Sequence, residues 1–574
     1  MFKLTLALKE YKITITAIVF LFFVQTIAQL YLPTLLADIV DIGIVNGDIS
    51  FIMRLGVLML FLALFATFCT VFANYLAAKT ATSFSRKLRS KLFRRGTAFS
   101  LYEFDQIGTA SLITRNTNDI EQIQRVTSMA LRLLISAPLM AIGGIIMAVS
   151  KDPQLSLIII FVVPVLAGLV ILISRKAIPL FKKLQKKIDK LNLVLREILT
   201  GIRVVRAFNQ IDYERERFKG ANSDLTETAV KVHRIMSMVM PLMFFLLNIT
   251  IVFVIYFASF RIDAGVLQVG DLMAFIQYIM YILFALLMVS MMLIMIPRAS
   301  ASAERINEVL DMKTEIIDPV KPKVSTAKKG YIEFDNVSFR YHGAEEPALE
   351  DISFRAKPGE VTAIIGGTGS GKSTLINLIP RFYDIEKGRI LIDDIDIRDL
   401  KQKDLRSKIA FVPQKAVLFT GTIFENIVYG KEDANLEEVK KAARIAQATA
   451  FINEDEDAYQ AMVSQGGSNF SGGQKQRLAI ARALIRKPEI FVFDDSFSAL
   501  DFKTESKLRS ALNEEIKDSS VLIVAQRVSS IMNADQIIVL EKGQVLGIGK
   551  HQDLLENCQV YQEIVKSQLN EEEL

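Results

Sequence analysis

Apolar positions fall into two regimes along this chain. In the first half they come in runs long enough to cross a bilayer, and in the second half they come in short bursts between polar stretches. A spanning helix needs about 20 predominantly apolar residues. Six stretches reach that length: 13–37, 52–78, 129–150, 155–174, 236–260 and 272–296. The intervals between them alternate in character. Segments 41–50, 151–154 and 261–271 are short, whereas 79–128 and 175–235 are long, polar and basic. The first long segment carries Lys79, Arg86, Lys87, Arg89, Lys91, Arg94 and Arg95, and the second carries Arg175, Lys176, Lys182, Lys183, Lys186 and Lys187. Basic residues concentrate on the cytoplasmic side of a membrane. Both long segments and both termini are therefore expected in the cytoplasm, and the chain in the cell membrane as a multi-pass protein. The helix-forming composition of the long segments predicts that the membrane helices continue well beyond the bilayer.

The pattern changes at 311–329, where Pro319, Pro322, Ser325 and several lysines mark a linker. After Gly330 no membrane-length run occurs. Short apolar runs at 361–365, 375–379, 490–493 and 521–524 alternate with helical stretches, the signature of an α/β domain. The expectation is an all-α six-helix transmembrane domain over 1–310, a linker over 311–329 and an α/β domain over 330–574. Composition adds little to this. Hydrophobic residues make up 51% of the chain and the mean hydropathy is +0.33, in keeping with membrane spans. A net charge of +6 is too small to imply a nucleic-acid partner. Two cysteines, Cys69 and Cys558, exclude a disulfide framework. The first apolar run is too long for a cleavable signal and lacks a small-residue cleavage site.

Candidate chemistry sits in the second half. The strand at 361–365 runs into Gly366-Gly367-Thr368-Gly369-Ser370-Gly371-Lys372-Ser373-Thr374, which fits G-x-x-x-x-G-K-[ST] between a strand and a helix. Glycines allow backbone N–H groups to curl around phosphate, and the helix start adds partial positive charge. Lys372 would reach the β- and γ-phosphates of a bound nucleotide, and Ser373 would ligate Mg²⁺. The apolar run 490–493 ends in Asp494 and Asp495, the expected acidic partner of such a loop. Taken alone, the same acids fit an ordinary turn after a buried strand.

Further along, Phe470-Ser471-Gly472-Gly473-Gln474-Lys475-Gln476-Arg477 resembles the signature motif of ABC ATPases, with Phe in place of the usual Leu. Tyr341 resembles the aromatic residue that stacks on adenine, Gln414 the Q-loop glutamine, and Ser498-Ala499-Leu500-Asp501 the D-loop. The match covers 330–574. With six spans ahead of it, the chain resembles a half-transporter of the ABC exporter type, because importers usually keep the two parts on separate chains. The resemblance implies a P-loop ABC ATPase domain that uses ATP and Mg²⁺, with Ser373, Gln414 and Asp494 at the metal. It places Ser471, Gly472, Gly473 and Gln474 against the γ-phosphate of a partner's site in a head-to-tail dimer. Coupling helices are expected near 102–111 and 200–208. The lack of a peptidase domain before the first helix counts against a leader-cleaving peptide exporter, and the six spans exclude a soluble ABC protein of translation or DNA repair.

Two positions depart from the family. The residue after the metal-site acid is normally Glu, and here it is Asp495; the switch position is normally His, and here it is Gln526. Asp is shorter than Glu by one C–C bond, about 1.5 Å, while a general base must come within hydrogen-bond reach of the attacking water. Gln cannot carry positive charge towards a phosphate. Gln465, where Glu often precedes the signature, is a weaker deviation of the same kind. The pattern resembles the degenerate-site subunit of heterodimeric multidrug ABC exporters. That resemblance implies a second half-transporter as partner and hydrophobic or amphiphilic cargo. A lipid flippase and a slow homodimeric exporter share the architecture.

Cargo is only faintly readable. The sixth run carries Met273, Phe275, Tyr278, Met280, Tyr281, Phe284, Met288, Met291, Met292 and Met295, side chains that can repack around varied apolar molecules. Ordinary helix packing or lipid contact would call for the same stripe. Asn74, Asn248 and Gln277 are expected to face the interior, since lipid exposure is costly. Residues 1–9 have a weak interfacial-helix pattern.

Overall fold

The computed structural model describes residues 7–324 and 329–568, without the side chains of 290–294 and 297–298. Met291 and Met292 are thus outside the described side chains, and most of the 1–9 segment is outside the described residues. Packing divides the chain into two units, Met1–Thr97 with Thr109–Met312, and Ala98–Gly108 with Lys313–Leu574.

The first unit is helical. Six helices among the described residues are long and apolar enough to span a membrane: Leu8–Ile44, Ile49–Thr97, Thr109–Lys151, Leu157–Thr200, Ile211–Asp263 and Val269–Val289. The last is the apolar part of a helix running to Asp311. Ile211–Asp263 has 53 residues, about 80 Å at 1.5 Å per residue, far more than a bilayer requires. The predicted extensions are therefore real helix, continuous with the spans. Small residues let helices approach: Ala73 and Ala77 are fully buried against Ile18 and Phe22. Large apolar side chains such as Phe61, Phe68 and Phe161 point outward, as a lipid-facing surface needs. Asn248 is exposed on this single chain, and its amide donates to the carbonyl of Phe244 in its own helix. Phe275 and Tyr278 are buried in the helix core, so this part of the stripe is packing.

The second unit is built on a six-stranded sheet. Its strand order is Gln544–Gly549, Gln536–Glu541, Val361–Ile365, Ser520–Val524, Ile490–Asp494 and Ile409–Val412. Only the first strand is antiparallel to its neighbour. Successive residues feed opposite faces. Phe491 and Phe493 enter one apolar layer with Val521 and Ile523, while Ile490 and Val492 enter the other with Leu522 and Val524. Burial on both faces explains why these strands read as unbroken apolar runs. The run at 375–379 is a correction: it begins within the helix Lys372–Leu378 and is not extended. Periodicity cannot separate a short buried helix from a strand. A second, antiparallel sheet of Ile332–Phe339, Leu349–Ala356, Lys387–Ile392 and Ile395–Asp396 packs beside it.

The short helix Leu101–Ile107 belongs to this unit by its contacts. Buried Glu103 accepts from the N–H and hydroxyl of Ser100 and from the N–H of Glu315. The linker region is strapped down as well, because Asp318 accepts from Gln402 N–H and Lys323 pairs with Asp399.

The start of the domain hangs on Asp393. Its carboxylate accepts from the N–H groups of Gly330 and Tyr331 at 2.9 and 3.1 Å and pairs with Lys408 at 2.7 Å. Removing one member of a buried charged network costs about 3–5 kcal/mol. Asp393→Ala is expected to lower the unfolding free energy of the second unit by that amount and its midpoint with it, as read from thermal and denaturant unfolding of the purified full chain. An unchanged midpoint would contradict this.

Candidate nucleotide site

The loop after Val361–Ile365 is shaped by glycine where no other residue fits. A Cβ on Gly366 would lie 2.0 Å from the Leu540 carbonyl oxygen. Gly369 and Gly371 have φ of +82° and +98°, in the left-handed region that glycine enters freely. Gly371 is the N-cap of Lys372–Leu378, so the helix start opens onto the loop. The Lys372 ammonium donates to the carbonyls of Gly366 and Gly367 at 2.9 and 2.7 Å. Burial pushes its pKa below the usual lysine range, against the pull of Asp495 and Asp494. A phosphate in the loop would offer this cation a better partner than two neutral carbonyls.

The strand Ile490–Asp494, one strand removed from Val361–Ile365 in the sheet, brings two acids to the loop. Parallel pairing of Val521 with Val361 and of Val524 with Asp494 puts the strand ends side by side. Ser373 donates to Asp494 at 3.1 Å. Burial pushes the Asp494 carboxyl above the usual range; the Ser373 hydrogen bond opposes this, Asp495 adds to it and Lys372 opposes it. Ser496, fully buried, donates to the carbonyls of Val412 and Asp494 and so ties the Gln414 loop to the acids. Two adjacent buried carboxylates with a hydroxyl beside them form a hard-oxygen donor set of the kind Mg²⁺ takes.

Asp495 is the centre of the arrangement. It is 8% exposed and has φ +47°, a conformation Asp adopts more readily than most residues. Its Oδ2 accepts from two side-chain amides, Gln414 Nε2 at 3.1 Å and Gln526 Nε2 at 2.7 Å. At the other end of the loop, the Tyr341 hydroxyl bonds Thr374 at 3.0 Å. Its ring stands edge-on to Phe339 and Tyr383 and is 38% exposed, leaving an aromatic face open. The next residue, His342, meets Tyr102 of the short helix Leu101–Ile107 with ring centroids 4.8 Å apart.

The structure thus gathers Tyr341, Gly366 through Thr374, Gln414, Asp494, Asp495 and Gln526. It does not bring the signature residues to them. Among the described residues, no hydrogen bond joins 471–474 to the P-loop. Ser471 is instead the N-cap of Gly472–Leu484, in a reciprocal capping box with Gln474. Nothing lies within 4 Å of a Cβ built on Gly472, so this helix start, with its unpaired N–H groups, faces open space. Gln476 secures it from behind by donating to the Pro413 carbonyl. Tyr383 and Ser496 escaped the sequence reading, which named Gln476 only as a member of the signature run. Ser496 follows the acid pair directly, a hint from position alone; the other two make contacts that only the fold creates.

Six bilayer-length helices joined to an ATPase domain whose P-loop faces a paired-acid strand define a half-transporter of the ABC exporter class. The chain matches the ABC transporter transmembrane region family over residues 15–287 and the ABC transporter family over residues 349–498. An uncharacterized ABC transporter ATP-binding protein of Mycobacterium tuberculosis is 42% identical over 565 residues, 98% of this chain and 97% of its own length. An ATP-dependent lipid A-core flippase of Vibrio vulnificus is 30% identical over 565 residues, 98% and 97% of the two chains. The solved structure of a bacterial Atm1-family ABC exporter with ATP bound aligns with a TM-score of 0.81 at 27% identity, over 98% of this chain and 99% of that one. The chain belongs to the ABC transporter family, and its work is ATPase-coupled transport.

The buried acids carry a stability cost. The folded carboxyl of Asp494 ionises at higher pH than it would in the unfolded chain. Its charge therefore destabilises the fold above the folded pKa, and the penalty is relieved as pH falls through that value. Nucleotide-free Asp494→Asn is expected to melt above the parent protein at neutral pH, with the gap closing on acidification. Differential scanning fluorimetry across pH checks this. A variant that melts lower at neutral pH would contradict it.

Proposed function

We propose that this chain is one half of a heterodimeric ABC exporter of hydrophobic or amphiphilic compounds in the cell membrane. In this reading the transmembrane domain ends near residue 310, and the ATPase domain, from 330, lies in the cytoplasm with both termini. Gly366 through Thr374 hold the phosphates of ATP, and Tyr341 stacks on its base. Ser373, Gln414 and Asp494 hold Mg²⁺, which would screen the charge of the phosphates. The chain's own site binds nucleotide and hydrolyses it poorly, while Ser471, Gly472, Gly473 and Gln474 complete the active site of the partner.

One observation carries this reading. Asp495, where a longer acid normally serves as base, has its Oδ2 engaged by two amides. A carboxylate already accepting from two donors, on a short side chain, is poorly placed to reach for the proton of an attacking water. Gln526 supplies one of those donors and brings no charge to the phosphate. The open start of Gly472–Leu484 supports the second half of the proposal, since exposed helix N–H groups suit an anion brought by another chain. A second reading, a lipid flippase, draws support from the 30% identity to the Vibrio lipid A-core flippase. Both cargoes call for an apolar surface. Transport assays with fluorescent drugs and with labelled lipids in proteoliposomes separate them.

Expressed and purified alone, the chain is expected to show little ATPase activity, with robust turnover appearing on assembly with a second half-transporter. Vigorous transport-coupled hydrolysis by a homodimer would refute the heterodimer.

Two substitutions in this chain should act in an unintuitive order. Lys372→Ala weakens phosphate binding at a site that hardly turns over. Ser471→Ala damages the surface offered to the hydrolysing site, where losing one charge-stabilising donor costs about 10²–10³ in rate. In the assembled transporter at saturating ATP, Ser471→Ala is expected to reduce hydrolysis more than Lys372→Ala. The reverse order would place the active site in the other half of the dimer.

A further inference from the structure

The helix Gln559–Gln568 ends 42 residues along the chain from Gln526, yet it touches the switch position directly. Its Gln568 side chain makes two hydrogen bonds to one short stretch of backbone. Nε2 donates to the carbonyl of Gln526 at 2.8 Å, and Oε1 accepts from the N–H of Val528 at 2.8 Å. Among neutral side chains only Asn and Gln carry a donor and an acceptor on one planar amide. The carbonyl of one residue and the N–H two residues on are what a neighbouring strand would pair with. Gln568 therefore replaces a strand neighbour where the strand Ser520–Val524 has ended.

The helix is well placed to hold that grip. Tyr561 and Val565 are fully buried in the same apolar cluster as Val528 and Ile531, and the Tyr561 hydroxyl bonds His551 Nδ1 at 2.7 Å. On the far side of the clamped backbone, the side chain of Gln526 donates to Asp495 at 2.7 Å. A continuous path thus runs from the packed face of the helix, through the Gln568 amide and the Gln526 main chain, to the carboxylate at the nucleotide site.

We propose that Gln568 is a positioning residue for the switch segment, holding the Gln526 main chain so that its side-chain amide faces Asp495 and the phosphate of bound nucleotide. The proposal rests on the reading of Gln526 as the switch position of this site. Its consequence is that the C-terminal helix sets how long nucleotide stays bound here. Residence needs a switch side chain held in place, because a loop that must first be ordered binds its ligand more weakly.

A double-mutant cycle tests this in the full-length chain, assembled with its partner in nanodiscs, using radiolabelled ATP with Mg²⁺ as the probe. The rate of ATP release and the separate kcat and KM of hydrolysis are read for Gln568→Ala, Gln526→Ala and the double variant. Gln568→Ala is expected to speed release about three- to tenfold, the scale of one or two exposed hydrogen bonds. It should have no further effect once Gln526 is Ala, because groups acting through one another are not additive. Gln568→Glu keeps the acceptor for Val528 but sets a carboxylate oxygen against the Gln526 carbonyl, so it should speed release at least as much as Gln568→Ala. Equal effects of Gln568→Ala in both backgrounds would mean that the helix acts on stability alone, and would overturn the proposal. So would unchanged release in Gln568→Ala when Gln526→Ala releases faster. If Gln526→Ala itself changes neither release nor turnover, the site reading fails first and the positioning role falls with it.

Discussion

One carboxylate oxygen organises the nucleotide end of this protein. Asp495 Oδ2 takes hydrogen bonds from Gln414 and Gln526, which stand on loops after different strands of the central sheet. The sheet register brings those loops together, and Ser496 fixes the acid pair to the backbone after Ile409–Val412. The same register leaves the P-loop lysine and serine facing the acids. A buried carboxylate must find donors. Here the donors are neutral amides, and both are engaged on the same oxygen.

That satisfaction sits beside a deliberate cost. Asp494 is held above the usual carboxyl range chiefly by burial, and its neighbour Asp495 adds to the shift. Lys372 is held below its usual range and spends its donors on the loop's own carbonyls. Each group is in a state that a cation-bound polyphosphate would improve. In the proposed reading, affinity for the nucleotide and reluctance to hydrolyse it come from different atoms, and one can persist without the other.

Much of the architecture was legible because it rests on length and burial. The six spans follow from apolar runs that no soluble core needs, and the P-loop was readable because its glycines occupy positions where a Cβ would strike Leu540 or demand a positive φ. The helical state of 375–378 was not, since a short stretch with Leu375, Ile376 and Leu378 buried looks alike in either conformation. The two amides on Asp495 lie 81 and 31 residues away along the chain, and Gln568 has no local pattern at all. Such contacts are made by the fold, and a sequence motif records only their endpoints.

The most direct test asks what nucleotide this chain holds during turnover. The transporter is photolabelled with a reactive ATP carrying radiolabel in either the α- or the γ-phosphate, and its two chains are then separated. A site that binds without cleaving keeps both labels on this chain in equal measure, while the partner retains mainly the α-label. Loss of the γ-label from this chain as fast as from its partner would contradict the account.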